Sequence, residues 1–316
     1  MMMKTGEPHA SVVENQRTPS RRSDVESSEE SFIKLKAHAK INLSLRVFTR
    51  DLCGYHPIET LMAPVTLADE LQITHLQQAA RSTILLHSND SSLPSGEENL
   101  CVKAARIFQK KTNIHQPISI HLFKRIPQGA GLGGGSSNAA ALLRGMNMLF
   151  GEPLLANELH HLAVNLGADV PFFLQQQPAW CRGYGELLEK AGGVPSWNLL
   201  LIKPPFPIET AWAYRKWDQK IWTPSQPVTL EKITLFNDLE APVFEKYPLL
   251  AIVKEWLAQQ AELQTAWMSG SGSTMVVLLE QNLSLREITI LKKRIFQNFG
   301  SSFWIKKVKI IVEEED

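Results

Sequence analysis

The sequence predicts an α+β protein of two halves behind a polar tail. Strand-like alternation and helix-like spacing follow one another without a regular βαβ period. The stretch AGGVPSWNLLLIKPPFP, residues 191–207, breaks the chain with glycines and prolines around one apolar run. At 316 residues there is enough chain for two cores rather than one. The expected units are residues 1–31 as a disordered tail, 32–192 as a first domain and 193–316 as a second.

Each element has its own warrant. The tail, ending SRRSDVESSEES, is too polar to bury a core, and Glu7, Glu14, Asp24, Glu26, Glu29 and Glu30 make it too acidic for a transit peptide. From Phe32, FIKLKAHAKINLSLRVF alternates as a strand, DLCGYHP breaks it, and LADELQITHL resumes it. SLPSGEENL is a loop, LCVKAARIFQKKT has helical spacing, and ISIHLFKRI returns to period two before Pro127. SSNAAALLRGMNMLF reads as a serine-capped helix, and LLANELHHLAVNL as another, with Pro153 before it and Gly167 after. In the second half, NLLLIK is a buried strand, PVFEKYPLLAIVKEWLAQQ helical, SLREITILKKRIFQNF a helix and FWIKKVKIIVEEE a strand.

Composition excludes several classes of function. With 33 basic and 32 acidic residues, net charge +1, there is no electrostatic case for nucleic acid or a membrane surface. No apolar run reaches transmembrane length. Cys53, Cys101 and Cys181 make neither a CxxC nor a zinc spacing, which fits a reducing cytoplasm. The histidines, His160–His161 included, form no metal pattern.

The chemistry-bearing stretch is KRIPQGAGLGGGSSNAAALL, residues 124–143, with Gly129, Gly131, Gly133, Gly134 and Gly135 within seven positions. A Walker A loop fails, because Gly135 stands where the lysine belongs. G-x-G-x-x-G matches at Gly129, Gly131 and Gly134, but helix follows helix where a dinucleotide fold needs a second strand. What remains is bare backbone leading into a helix N-terminus, a setting that favours an anion such as phosphate. Ser136, Ser137 and Asn138 add donors there.

Three ordered motifs then carry a resemblance. IPQGAGLGGGSSNAAALL resembles the second motif of the galactokinase, homoserine kinase, mevalonate kinase and phosphomevalonate kinase (GHMP) superfamily, with AKINLSLRV and MSGSGSTMVVLL in the places of the first and third. GLGGGSSNAA, where most relatives read GLGSSAA, is similar to the 4-diphosphocytidyl-2-C-methyl-D-erythritol kinase family of the non-mevalonate isoprenoid pathway. GYH at Gly54–His56 and LGADVPFF at Leu166–Phe173 narrow the resemblance to the same family. It covers everything but the tail.

The resemblance implies a two-domain GHMP fold: an N-terminal ATP-binding domain with a left-handed β-α-β unit, and a C-terminal ferredoxin-like α/β sandwich. It implies ATP with Mg2+, and phosphorylation of the 2-hydroxyl of a cytidine diphosphate methylerythritol. Lys40 and Asp169 are the implied catalytic pair, the carboxylate as base and the lysine steadying it and the phosphate. Pro127, Gly129, Gly131, Leu132, Gly133, Gly134, Gly135, Ser136, Ser137 and Asn138 form the implied ATP cradle, with Asn99 and Lys124 toward adenine. Asn42, Tyr55 and His56 are implied substrate contacts, and Phe206 is a candidate second ring for the cytosine. The SGSGS run is expected to pack on the phosphate loop. No metal ligand is assigned, and the partner is a small molecule, the chain a monomer or weak homodimer. The rival readings are another superfamily kinase, for homoserine or mevalonate, and an NAD-dependent oxidoreductase. Taken alone, Lys40 would suit a strand surface, Asp169 a turn and Asn99 a helix cap.

Overall fold

The computed structural model describes residues 31–312 except 78 and 224, so the expected tail, apart from Ser31, lies outside the described residues. The first half runs β1 (Phe32–Val47), β2 (Ile58–His75), β3 (Ile84–Ser88), α1 (Leu100–Thr112), β4 (Ile118–Phe123), α2 (Gly134–Leu149), α3 (Ala156–Leu166), α4 (Phe172–Gln175), β5 (Ala179–Arg182) and β6 (Leu187–Lys190). The second runs β7 (Asn198–Lys203), α5 (Thr210–Trp217), β8 (Val228–Leu230), β9 (Ile233–Asn237), α6 (Glu240–Lys246), α7 (Pro248–Ala258), β10 (Leu263–Met268), β11 (Met275–Leu279), α8 (Leu285–Phe299) and β12 (Trp304–Lys309).

Two sheets form. The larger has the order β3-β4-β2-β1-β9-β8, with the β5–β6 hairpin added through β2. β1 and β2 pair antiparallel along almost their whole length, and β3 lies parallel to β4 across the α1 connection. The smaller sheet has the order β10-β11-β7-β12, antiparallel throughout. Reading β7, β10, β11 and β12 as first to fourth gives the spatial order 4-1-3-2, the ferredoxin-like arrangement.

Alternation explains why β7 looks uniformly apolar. Leu199 and Leu201 enter one core cluster while Leu200 and Ile202 enter another, so both faces of the strand are covered. Three clusters therefore define four layers. The first lies between α1–α4 and the large sheet, the second between the two sheets, and the third between the small sheet and α5–α8.

One connection crosses the middle of the chain. The β8–β9 hairpin, from beyond residue 192, joins the large sheet through parallel pairing of Ser44 with Phe236 and Leu45 with Asn237. β2 also meets the C-terminal strand region, where the Ile311 amide donates to the Pro64 carbonyl at 2.9 Å.

The helix after the glycine run differs from its expected form. It begins at Gly134 rather than at the serines, its N-cap is Gly133, and no side chain caps it. Gly134 and Gly135 take helical conformation, which places both serines inside the first turn. Ser137 is buried and donates instead to the His38 carbonyl at 2.6 Å.

Candidate active site

A cleft of about 450 Å³ opens between β1, the glycine loop, α5 and the β10–β11 turn. Lys40, Asn42 and Asp169 line it beside Pro127, Gly129, Gly131, Leu132, Gly133, Gly134, Gly135, Ser136 and Asn138. Asn99 and Lys124 line it at the α1 side. Ser137, Tyr55, His56 and Phe206 do not line it.

A register shift in β1 aims the catalytic candidates. Before it, Leu35 and Ala37 face the helix-side core; after it, Ala39, Ile41 and Leu43 enter the core between the sheets. The shift lies between His38 and Lys40, and it turns even-numbered Lys40 and Asn42 into the cleft. Lys40 Nζ then lies 2.6 Å from Asn42 Oδ1 and 3.5 Å from Asp169 Oδ2. Asn42 is held in turn: its Nδ2 donates to Thr60 Oγ1 at 2.8 Å, and its amide donates to Ser269 Oγ at 3.2 Å.

The glycine loop is pinned through its carbonyls. Thr274 N donates to Ala130 O at 3.3 Å, Ser269 Oγ to Gly131 O at 3.2 Å, and Lys40 N to Leu132 O at 3.0 Å. Three consecutive oxygens that would repel an anion are thereby occupied. The first three amides of α2, those of Gly134, Gly135 and Ser136, have no partner within the helix and add its dipole. The approach is close enough to require glycine. A Cβ on Gly131, at φ +74°, would sit 2.4 Å from the Ser269 carbonyl, and one on Gly133 would sit 2.5 Å from the Phe173 ring. The SGSGS turn thus packs on the loop, as its sequence suggested.

Beneath the loop lies Asp69, fully buried and not singled out by sequence. Its Oδ1 accepts the amides of Arg125 and Ile126 at 2.6 and 2.8 Å. Its Oδ2 accepts Asn138 Nδ2 at 2.8 Å and pairs with Lys124. Lys124 also donates to Asn138 Oδ1 at 3.0 Å, so its charge is matched from below the loop. Asn99 is the N-cap of α1, accepting from Cys101 N at 2.9 Å and donating to Pro94 O at 2.8 Å.

On the other side of the cleft, α5 contributes Thr210 and Tyr214. Tyr214 packs nearly parallel to His56, ring centroids 5.7 Å apart. His56 is buried; its Nδ1 donates to the Phe48 carbonyl at 2.9 Å, while Nε2 lies 3.1 Å from Asp218 Oδ1, out of line for a hydrogen bond. Tyr55 is exposed beside it. Phe206, the expected second ring, is elsewhere: partly buried, it stacks on Tyr247 at 5.3 Å against the core beside α5–α8. Lys203 Nζ and, from the β10–β11 turn, Ser273 Oγ both donate to its carbonyl and fix the segment. Tyr214 lines the cleft in its place, and no motif in the sequence marks it.

Protonation narrows the chemistry. Burial, and then the Asp169 charge, push the Tyr214 phenol up, so it keeps its proton. Burial pushes the Cys181 thiol, near Asp169 and Lys40, up to about 12, so it is no nucleophile at neutral pH. Glu98 and Asp169 are the carboxylates lining the cleft, and Asp169 is the one beside Lys40.

Residues 99–177 match the model of the GHMP kinases N terminal domain. A protein of Methylacidiphilum infernorum (isolate V4), named 4-diphosphocytidyl-2-C-methyl-D-erythritol kinase, is 37% identical over 291 residues, covering 90% of this chain and 99% of the relative. One of the same name from Protochlamydia amoebophila (strain UWE25) is 38% identical over 245 residues, covering 77% and 83%. A crystal structure of a 4-(cytidine 5'-diphospho)-2C-methyl-D-erythritol kinase superposes with TM-score 0.70 at 33% identity, covering 87% of this chain and 99% of that one. A homoserine kinase from Cytophaga hutchinsonii, TM-score 0.66 at 18% identity, shares the fold. A pinned glycine loop, a paired lysine and carboxylate, and this breadth of identity lead to one conclusion: the chain belongs to the 4-diphosphocytidyl-2-C-methyl-D-erythritol kinase family of the GHMP kinases.

Proposed function

We propose that the protein transfers the γ-phosphoryl group of MgATP to the 2-hydroxyl of 4-diphosphocytidyl-2-C-methyl-D-erythritol, giving the 2-phosphate and ADP. The observation that carries the reading is the meeting of Lys40 and Asp169, 129 residues apart in sequence, at 3.5 Å in the cleft that the glycine loop borders. Asp169 accepts the proton of the attacking hydroxyl. The acceptor oxygen bonds to the γ-phosphorus as the bond to the ADP oxygen breaks. Lys40 steadies the carboxylate and the charge on the transferring group, while the α2 amides hold the phosphates. Mg2+ enters with ATP as part of that substrate; it keeps several waters and needs few protein ligands. Asn42 positions Lys40 and meets the acceptor; Tyr55 and His56, beside the cleft end that Tyr214 lines, receive the cytosine.

The partner is thus a small molecule, and the assembly a monomer or weak homodimer acting in the cytoplasm. Among the described residues no helix is long and apolar enough to cross a membrane. The test is ADP release with MgATP and three acceptors: the cytidyl methylerythritol, mevalonate and homoserine. Turnover of the cytidyl compound alone is expected. Turnover of either other acceptor in its place would reassign the substrate.

A further inference from the structure

The β5–β6 turn carries a tyrosine onto the loop that presents Tyr55 and His56. The Tyr184 hydroxyl donates to Asp51 Oδ2, and its ring lies 5.7 Å from the Tyr55 ring at 59°. Asp51 is the hub of that loop. Its Oδ1 accepts the amides of Cys53 and Tyr55 at 2.9 and 3.1 Å, and its backbone exchanges bonds with Gly54 and Tyr55. The turn is itself anchored: Gly183 O accepts the Ile58 amide at 2.7 Å, and the Tyr184 amide donates to Glu186 Oε2 at 2.7 Å.

His56 and the Phe48–Pro57 backbone bond anchor the base of the loop, but little else holds its tip. Leu52 and Cys53 project into solvent, and Tyr55 is 67% exposed. A segment with so few apolar contacts opens locally at low cost unless polar bonds fasten it. The Asp51–Tyr184 bond is suited to that task. The hydroxyl holds the Asp51 carboxyl below the usual range, and the carboxylate holds the phenol up at about 12, so donor and acceptor keep complementary forms at neutral pH.

We propose that Tyr184 is a positioning residue for the cytidine end of the substrate. Through Asp51 and the face of Tyr55 it fixes the 51–56 loop in its binding conformation before substrate arrives. The proposal rests on the reading that Tyr55 and His56 receive the cytosine. It makes the β5–β6 turn a determinant of substrate affinity, separate from the ATP side of the cleft.

The test uses the full chain with Tyr184→Phe, Asp51→Asn, the two combined, and Tyr55→Ala, measuring KM for each substrate and kcat. Tyr184→Phe keeps the ring and loses one charge-assisted bond. It is expected to raise KM for the cytidyl substrate about three- to ten-fold while kcat and KM for MgATP stay as in the parent. Asp51→Asn, added to Tyr184→Phe, should cost less than its separate effect predicts, because both act through one bond. An unchanged cytidyl KM in Tyr184→Phe, beside a raised one in Tyr55→Ala, overturns the proposal alone. No change in either variant overturns the loop's assignment to the base and the proposal with it. A rise in both KM values, with a lowered melting temperature, would make Tyr184 a general stabiliser and equally overturn it.

Discussion

Asp169 concentrates the argument at the scale of single residues. Its side chain is about a third exposed to the cleft, and Lys40 is its ion-pair partner. Asp169→Asn keeps the shape and removes the carboxylate proposed to accept the proton. The variant is expected to fold and bind ATP while kcat falls by about 10²–10⁴-fold. Calorimetric titration with ATP beside ADP-release kinetics checks both halves of that statement.

His38, next to the register shift, makes a second prediction. Burial, then the charges of Lys36 and Arg144, lower its pKa, although the bond to the Val65 carbonyl opposes them. The folded chain therefore binds this proton less readily than the unfolded chain. Stability from this group is complete above the ordinary histidine value of 6.5 and is lost as pH falls below it toward the folded-state value. His38→Gln should flatten the fall in melting temperature as pH drops below 6.5. A slope identical to the parent's would remove His38 from the acid response.

Residues were unevenly legible. Lys40 and Asp169 stood in quotable motifs. Asp69 did not, because a lone carboxylate in LADELQITHL says nothing about the loop it will hold from below. Phe206 sat in a conspicuous proline-rich segment, yet its orientation depended on Lys203 and Ser273, which no periodicity reveals.

At the scale of elements, the glycine loop and α2 act as one device with unequal parts. Gly131→Ala places a Cβ 2.4 Å from a backbone carbonyl at a left-handed φ, and should cost at least about 2 kcal/mol of stability and weaken ATP binding. Gly135 lies in helical conformation, and an added Cβ would meet only Leu100 at 3.6 Å. Gly135→Ala should therefore leave stability unchanged or raise it slightly, by up to about 1 kcal/mol of helix propensity. Equal destabilisation by both would mean that the loop does not need its close approach. The helix itself was foreseen, but its start was not: a serine cap is the usual reading of SSN, and only the packing of Ser137 on His38 shows the preceding glycines winding into the first turn.

At the scale of the whole molecule, the two sheets share a core. Ala39, Ile41 and Leu43 of β1 pack with Leu199 and Leu201 of β7 and Val276 and Leu278 of β11. The β8–β9 hairpin extends the large sheet from the second half. Residues 32–192 expressed alone would expose that apolar face and an unpaired β1 edge. Such a fragment is expected to aggregate or bind hydrophobic dye, while the full chain melts in a single transition. A soluble fragment with native-like tertiary circular dichroism would show instead that the first half is self-sufficient.

By itself the sequence determined the order of most long elements, the bare glycine backbone proposed to hold phosphate at residues 129–138 and the family, because these rest on local periodicity and contiguous motifs. The tertiary structure decided which face of β1 enters the cleft, what lies beneath the glycine loop, which ring stands near His56, and that a hairpin from the second half completes the first sheet. Those depend on a register shift, a buried carboxylate and contacts between residues more than a hundred positions apart, and no local pattern encodes a contact whose partner lies that far along the chain.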